Sequence, residues 1–277
     1  GNERLKSGGA SAASDVKTER VEDRVDPAIA VLACDCKIQI GPDGGIASRN
    51  PEELLEILTL LTWVETALSG SGREVPEAML SAMARMAPAL RAMRHSDGGL
   101  ARFHGGGRGL DGWLDQALAA VGTMEQPDQG LHMGYGRLAA GRTSLIADTA
   151  APPIGVAAAA AHASTLAMEL TSGRRPLIVN CGSGSSFGPE WRRAGRATPS
   201  HSTLCIDGVS SAHIAVRKGG AELLCDGPKK VQSEFTALGD GNRLEMAHDV
   251  YRASHGLTHV RTLDLSKDDR ALAGEDL

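Results

Sequence analysis

The sequence predicts an α+β fold, in which a helical region over residues 1–125 precedes an antiparallel β-sandwich over residues 126–277. Two observations predict this division. Before Pro127, apolar residues recur at the three- and four-residue spacing of helices. After Pro127, short apolar runs separated by glycine-containing turns replace that periodicity. The chain has 277 residues, enough for one large domain or two modest ones.

Three helices are predicted in the first region. The first begins after the N-cap Asn50 and should end near Gly70. A second covers about 76–95 and a third about 110–121, each with its apolar residues on one side. Residues 7–27, rich in Ser, Ala and Gly and then charged, are predicted to be loosely ordered or a loop.

The second region reads as a series of hairpins. Short runs of strand-forming residues flank glycine turns, a spacing typical of an antiparallel sandwich or barrel. The alanine run at 157–161 has helix propensity but could also be a loop. The predicted strands are 135–138, 144–147, 166–170, 177–180, 203–206, 214–217, 222–225 and 260–265.

Charge and hydrophobicity argue against two classes of protein, the nucleic-acid binders and the proteins with a membrane-spanning helix. A net charge of −5 and a pI near 6.0 give no sign of a nucleic-acid binder. No run approaches the roughly 18 apolar residues that a membrane-spanning helix needs. The first thirty residues lack the apolar core of a signal peptide, so either the protein is cytoplasmic or this chain is not the complete translated product.

Two histidines are candidates for chemistry. His162 stands just before one predicted strand and His201 just before another. If those strands are neighbours, the imidazoles could converge for acid/base catalysis or zinc binding. The alternative is that each histidine is a hydrogen-bonding residue at a strand end. Spacing alone favours this alternative, because no third ligand is visible.

Three further motifs are explained without a functional site. Arg49 and the start of the first helix could hold a carboxylate or sulfate, although a simple capped helix is the alternative that local sequence favours. The glycines after His104 lack the preceding strand and the lysine of a phosphate loop. The segment 184–188 matches the letters of a nucleophile elbow but lacks a strand-to-helix turn, so no hydrolase triad is predicted.

A longer ordered series, over roughly residues 130–275, resembles a known family. The series begins with a strand that follows a histidine and a hairpin with a glycine turn. A strand that ends at an asparagine comes next, followed by a segment that runs from an arginine to a histidine. A Gly-Leu-x-His-x-Arg segment ends the series. The series resembles the C-terminal domain of heparinase II/III-like polysaccharide lyases. The matching stretches are His162–Leu170, Gly173, Leu177–Gly182, Arg193, Arg196–Gly208, His248–Tyr251 and Gly256–Arg261.

The resemblance implies a fold and an activity. The helical region would be the end of an α/α toroid, and the chain either a fragment or a short form with an incomplete sandwich. The activity implied is β-elimination on a uronic-acid-containing glycan: an Asn or His neutralises the uronate carboxylate, and a Tyr or His removes the C5 proton. An acidic polysaccharide is the implied partner, in the periplasm or cell envelope. No cofactor is required, with structural zinc or calcium as an option.

The resemblance also suggests roles for individual residues. His162 and His201 are the expected catalytic imidazoles. Arg49, Asn50 and Arg196 are expected to bind substrate, and His162, Asn180 and His201 are the candidate metal ligands.

This chain departs from the family pattern where chemistry is expected. Ile46 replaces the histidine after Asp-Gly-Gly, and Asn50 lies in the region where relatives carry the catalytic tyrosine. Ser164 replaces the aspartate of the histidine strand. The only tyrosines, Tyr135 and Tyr251, both lie in the β region. The alternatives to a lyase are therefore a catalytically inactive glycan-binding relative and a structural or assembly protein.

Overall fold

The computed structural model describes residues 22–122, 129–268 and 271–277. Its first part is helical, and α3 is the central helix, with α1 and α2 packed against it. The shorter α4 packs on α2 and α3. The four helices are α1 (Glu22–Gln39), α2 (Pro51–Gly70), α3 (Glu77–Ala92) and α4 (Trp113–Val121).

The start of α2 follows from its sequence. The Asn50 side chain accepts hydrogen bonds from the backbone N–H groups of Glu52 and Glu53, which satisfies two donors that the helix itself cannot. Leucines of α2 and methionines of α3 then face one another in a common core. Burying each such side chain contributes roughly 1.5–3 kcal/mol, so packing holds the helices together more than propensity does.

Helix α1 corrects one sequence prediction. Residues 22–27, expected to be loosely ordered, form the beginning of α1, while residues 7–21 lie outside the described part of the chain. The amphipathic signal of α1 is weak, but the helix packs along α3 and buries Cys36. Tertiary packing has outweighed local composition here.

The second part contains two larger antiparallel sheets and a separate hairpin. The first sheet has the order β1-β2-β3-β4-β5 and the second the order β11-β10-β9-β8. Among the described residues, strands β6 and β7 pair only with each other. The strands are β1 (Gly130–His132), β2 (Tyr135–Ala140), β3 (Thr143–Asp148), β4 (Met168–Ser172), β5 (Arg175–Ile178), β6 (His213–Val216), β7 (Glu222–Cys225), β8 (Gln232–Ala237), β9 (Gly241–His248), β10 (His259–Ser266) and β11 (Leu272–Asp276).

The two larger sheets face each other across a shared apolar core. Leu138 and Leu145 from the first sheet meet Leu244 and Leu263 from the second, and all four are buried. Along β10, buried and half-buried residues alternate strictly, as the two-residue period of a strand requires. Helices followed by an antiparallel sandwich are the predicted fold class, which is confirmed.

Some strand predictions were wrong or missing. Residues 203–206 form a loop with a single bridge from Ile206 to Val209. The Leu204 carbonyl accepts its hydrogen bond from the Tyr251 hydroxyl and not from a neighbouring strand. Strands β1, β8, β9 and β11 were not predicted, and the β8 sequence, QSEFTA, is mostly polar with no fully buried residue. The alanine run contains a 3₁₀ helix, η1 (Gly155–Ala159), and two short helices follow, α5 (Pro189–Arg196) and α6 (Arg252–His255). Within the described ranges, no helix has the length and apolarity to cross a bilayer.

A buried histidine pair joins two strands of the second sheet. His248 of β9 lies opposite His259 of β10, with ring centroids 5.3 Å apart. His259 Nε2 lies 2.8 Å from Asp276 Oδ1, and Arg261 donates to both oxygens of the same carboxylate. Burial, with the neighbouring His259, lowers the pKa of His248 to about 4.

We expect acid to destabilise the protein through His248. The unfolded state takes up a proton below about pH 6.5 while the folded His248 stays neutral until about pH 4, so the free energy of unfolding falls over that interval. The loss from this group is on the order of 3 kcal/mol. Urea unfolding at several pH values should show a smaller loss in His248→Asn than in the control His213→Asn, because His213 is exposed. Equal losses in both variants would contradict this assignment.

Candidate functional site

Arg49 ties the helical part to the β part. Its backbone adopts a left-handed φ of 53°, which turns the side chain out of the loop before α2. The guanidinium donates to the carbonyls of Gly134 (2.6 Å) and Ala151 (3.0 Å) and lies 2.6 Å from Asp148 Oδ1. It also stands 4.6 Å above the centroid of the Tyr135 ring. One side chain therefore contacts several segments of the β part.

Asp148, the last residue of β3, is a fully buried carboxylate. Arg49 holds one oxygen, and Ser164 Oγ donates to the other at 2.7 Å. His104 Nε2 approaches the same oxygen at 3.5 Å. Burying a charge costs several kcal/mol unless a partner and hydrogen bonds compensate, and here both are present.

His162 and His201 converge. His162 Nδ1 lies 3.0 Å from His201 Nε2, with the two rings edge to face. His201 Nδ1 lies 2.9 Å from the Ala197 carbonyl, which can only accept, so this nitrogen carries the proton when the ring is neutral. His201 Nε2 then accepts from His162 Nδ1–H, and the free lone pair is left on His162 Nε2.

A third histidine completes the buried cluster. The His162 backbone N–H donates to His104 Nδ1 at 3.2 Å, and His104 also contacts Arg49. Burial lowers the pKa of His104, His162 and His201, and neighbouring positive charge lowers it further for His104. All three rings are therefore neutral near pH 7. They are also enclosed, because His162 is 2% and His201 7% exposed.

A groove of about 780 Å³ is lined by Ala47 and Arg49 of the loop before α2 and by residues of the β part. Pro152 and Pro153 line one wall and Leu223 another. Basic residues stand along it, including Arg217 and Lys229. Among the described residues that line it there is no histidine and no tyrosine.

Both tyrosines point elsewhere. The Tyr135 hydroxyl donates to the Arg49 carbonyl and the Tyr251 hydroxyl to the Leu204 carbonyl. Burial raises the pKa of Tyr135 well above its ordinary value and that of Tyr251 to about 12. Neither hydroxyl is placed in this arrangement to exchange a proton with a ligand in the groove.

The other sequence candidates lie apart from the groove surface. Asn50 caps α2 with its side-chain oxygen. Arg196 is buried, and its guanidinium donates to the carbonyls of Ala161 and Ala158. Substrate binding by Arg49, Asn50 and Arg196 stays a prediction, as do the catalytic roles of His162 and His201.

The predicted metal site has two converging imidazoles and no third ligand. The Asn180 amide is engaged at both ends, donating to the Arg102 carbonyl and accepting from the Ser202 N–H. Ser164 directs its hydroxyl to Asp148. In the part of the chain that the structure describes, no group of three His, Cys, Asp or Glu residues could hold an ion. A metal on His162, Asn180 and His201 stays a prediction that these contacts do not fit.

Sequence reasoning missed His104 and Asp148. The glycines after His104 suggested only a failed phosphate loop, yet they allow close packing on α2. A Cβ at Gly106 would lie 2.3 Å from Asn50 Oδ1, and the Gly107 N–H donates to Glu52. Asp148 carried a usable signal, since it is a charged residue directly after the predicted strand 144–147.

Replacing Asp148 by Asn should destabilise the protein by about 2–4 kcal/mol, because Arg49 then stays buried without a counter-charge. The matched control is Asp264→Asn, whose partner Arg243 lies on the partly exposed face of β9; it should cost less than about 1 kcal/mol. Denaturant unfolding measures both. Equal and small losses would contradict the proposed importance of the Arg49–Asp148 pair.

Comparison with known proteins identifies the family. The model of the heparinase II/III-like C-terminal domain matches residues 123–277. FtsZ-localized protein C of Caulobacter vibrioides (strain NA1000 / CB15N) is 32% identical over 267 residues, which are 92% of this chain and 44% of that protein. The chain thus spans less than half the length of this relative.

Solved structures agree on the fold. Heparinase III superposes with a TM-score of 0.69 at 14% identity, covering 92% of this chain and 43% of that one. The heparan sulfate lyase HepC of Pedobacter heparinus gives 0.65 at 16% identity, covering 87% and 39%. At such low identity these matches show the architecture alone. The sequence match over more than half of the chain, on the same architecture, shows that this chain belongs to the heparinase II/III-like family.

Proposed function

We propose that this chain forms part of a glycan-binding relative of the polysaccharide lyases, which binds an acidic polysaccharide in the groove without eliminating it. The observation that carries the proposal is the make-up of the groove: it has basic and apolar side chains, and no histidine or tyrosine among its described lining residues. Such a lining suits binding of an anionic sugar chain and lacks the imidazole and phenol groups that the family resemblance assigns to elimination.

The basic residues supply charge for a polyanion. Arg217 and Lys229 are exposed, and a guanidinium can bind a carboxylate or sulfate through two parallel hydrogen bonds. Arg49 also lines the groove and is positively charged, although the carboxylate of Asp148 balances that charge. The prolines and leucines of the walls offer apolar contact to the C–H faces of sugar rings. Asp226 also lines the groove and pairs with His213, so the excess positive charge is modest.

β-Elimination would need a base at the C5 proton and a group that neutralises the uronate. The free lone pair of His162 is the strongest candidate base, but that ring is buried, and a Cβ built on Gly105 would lie 4.0 Å from its Nε2. A lyase reaction by this chain would require the histidines to reach the groove. The enclosed geometry favours binding over the lyase function that the family resemblance implies.

The test uses a panel of uronate-containing glycans that includes heparan sulfate. We expect calorimetry to detect binding, and we expect no rise in the ultraviolet absorbance that marks an unsaturated uronate product. Replacing both Arg217 and Lys229 by Ala should weaken binding about tenfold, corresponding to roughly 1.4 kcal/mol. The control double variant, Arg73→Ala with Lys267→Ala, removes the same charge from residues that do not line the groove.

The outcomes separate the functions. Product formation by the wild type would replace the proposal with the lyase function. Binding to none of the glycans would reject the groove as a glycan site. Equal weakening in both double variants would mean that only net charge matters.

A second candidate rests on the relative named for its localisation with FtsZ, which matches 92% of this chain. We propose that the protein containing this chain localises with FtsZ as well, in a structural or assembly role. A fluorescent fusion of the full-length protein should co-localise with FtsZ and disperse when FtsZ is depleted. Unchanged placement after depletion would contradict this candidate.

A further inference from the structure

Two aromatic rings stand exposed side by side on the β part. The chain has only eight aromatic residues besides histidine, namely three Trp, two Tyr and three Phe. Phe187 is 77% and Trp191 64% exposed, and their ring centroids lie 6.4 Å apart at an interplanar angle of 62°. Exposed clusters of apolar side chains often mark binding surfaces, because contact between apolar area and water is unfavourable.

The backbone holds this corner in place. Phe187 ends a 3₁₀ turn, η2 (Ser185–Phe187), and α5 begins two residues later. Gly184 has a φ of 63° and packs so closely on α5 that a Cβ would lie 2.4 Å from the Trp191 carbonyl oxygen. Only glycine allows that approach, and it brings the turn that carries one ring against the helix that carries the other.

The aromatic corner adjoins the groove. Arg192 of α5 donates to the Ala159 carbonyl of η1 at 2.7 Å and to Glu222 of β7 at 3.1 Å. Both η1 and β7 contribute groove lining, through Gly155 and Leu223 among others. Arg192 therefore joins α5 to two elements that line the groove, so α5 is a neighbouring surface onto which a chain longer than the groove could continue.

The same helix carries positive charge. Arg192 and Arg193 share the single carboxylate of Glu222, and Arg196 donates to backbone carbonyls. Three arginines thus stand against Glu190 and Glu222, an excess of one positive charge. Arg193 is more than half exposed, so its guanidinium can also face a ligand.

We infer that Trp191, with the Phe187 ring set at an angle beside it, forms an aromatic platform for one sugar ring of an anionic glycan, with Arg193 beside it for the acidic group of that sugar. The inference rests on the proposed function, because it takes the groove's glycan as the ligand. One face of a pyranose presents C–H groups, which pack on the electron-rich face of an aromatic ring. A sulfate or carboxylate on the same sugar suits the neighbouring guanidinium.

The experiment measures binding of heparan sulfate octasaccharide to the full chain by calorimetry. Trp191→Ala should weaken binding about tenfold and Phe187→Ala less, whereas Trp191→Phe should retain most of the affinity, because it keeps an aromatic face. The matched control is Trp63→Ala, since Trp63 is 62% exposed on α2. Thermal unfolding should be unchanged in all of these variants.

The variants distinguish the platform from the groove. If Trp191→Ala binds the octasaccharide as well as Trp63→Ala does, the platform is rejected while groove binding stands. If Trp191→Phe loses as much affinity for the octasaccharide as Trp191→Ala does, stacking is not the cause and the inference fails. If the wild type does not bind the octasaccharide but does bind other glycans of the panel, the platform for this sugar class fails alone. Failure of the wild type to bind any glycan overturns both the groove and the platform.

Discussion

The buried pair of Arg49 and Asp148 is the contact on which the arrangement of the two parts depends. Arg49 comes from the loop before α2 and Asp148 from the end of β3, so the pair joins helices to sandwich. Both charges are shielded from water, and each has further partners: carbonyls around Arg49, and the Ser164 hydroxyl on Asp148. Removing either partner leaves the other charge buried and uncompensated, which is far more costly than losing a surface ion pair.

The placement of the polar cluster also explains the groove. Hydrogen bonds to one another and to the backbone hold three histidines in the interior next to Asp148, namely His104, His162 and His201. The residues that line the groove include prolines, leucines, arginines and a lysine. Under the proposed function, the groove binds the anionic sugar chain while these buried imidazoles hold the surrounding loops together. Helix α5 is joined to two elements that line the groove, η1 and β7, through hydrogen bonds of Arg192.

Much of this arrangement could be predicted from sequence. The cap at Asn50, the leucine and methionine stripes and the glycine hairpins fixed α2, α3 and several strand pairs, because those signals are local. The convergence of His162 and His201 was predicted only conditionally, since it depends on which loops meet in space. Polar β8 and the weakly amphipathic α1 were missed because their stability comes from neighbours rather than from their own pattern. Nothing in the local sequence around Arg49 shows that this arginine pairs with a buried carboxylate far along the chain.

The most direct test of this account is a double-mutant cycle on Arg49 and Asp148. The free energies of unfolding of Arg49→Met, Asp148→Asn and the double variant give the coupling energy between the two side chains. We expect a coupling above about 2 kcal/mol, with the double variant little worse than either single one, because each single change strands a buried charge. Additive losses, with a coupling under about 0.5 kcal/mol, would show that the two parts are held together by other contacts.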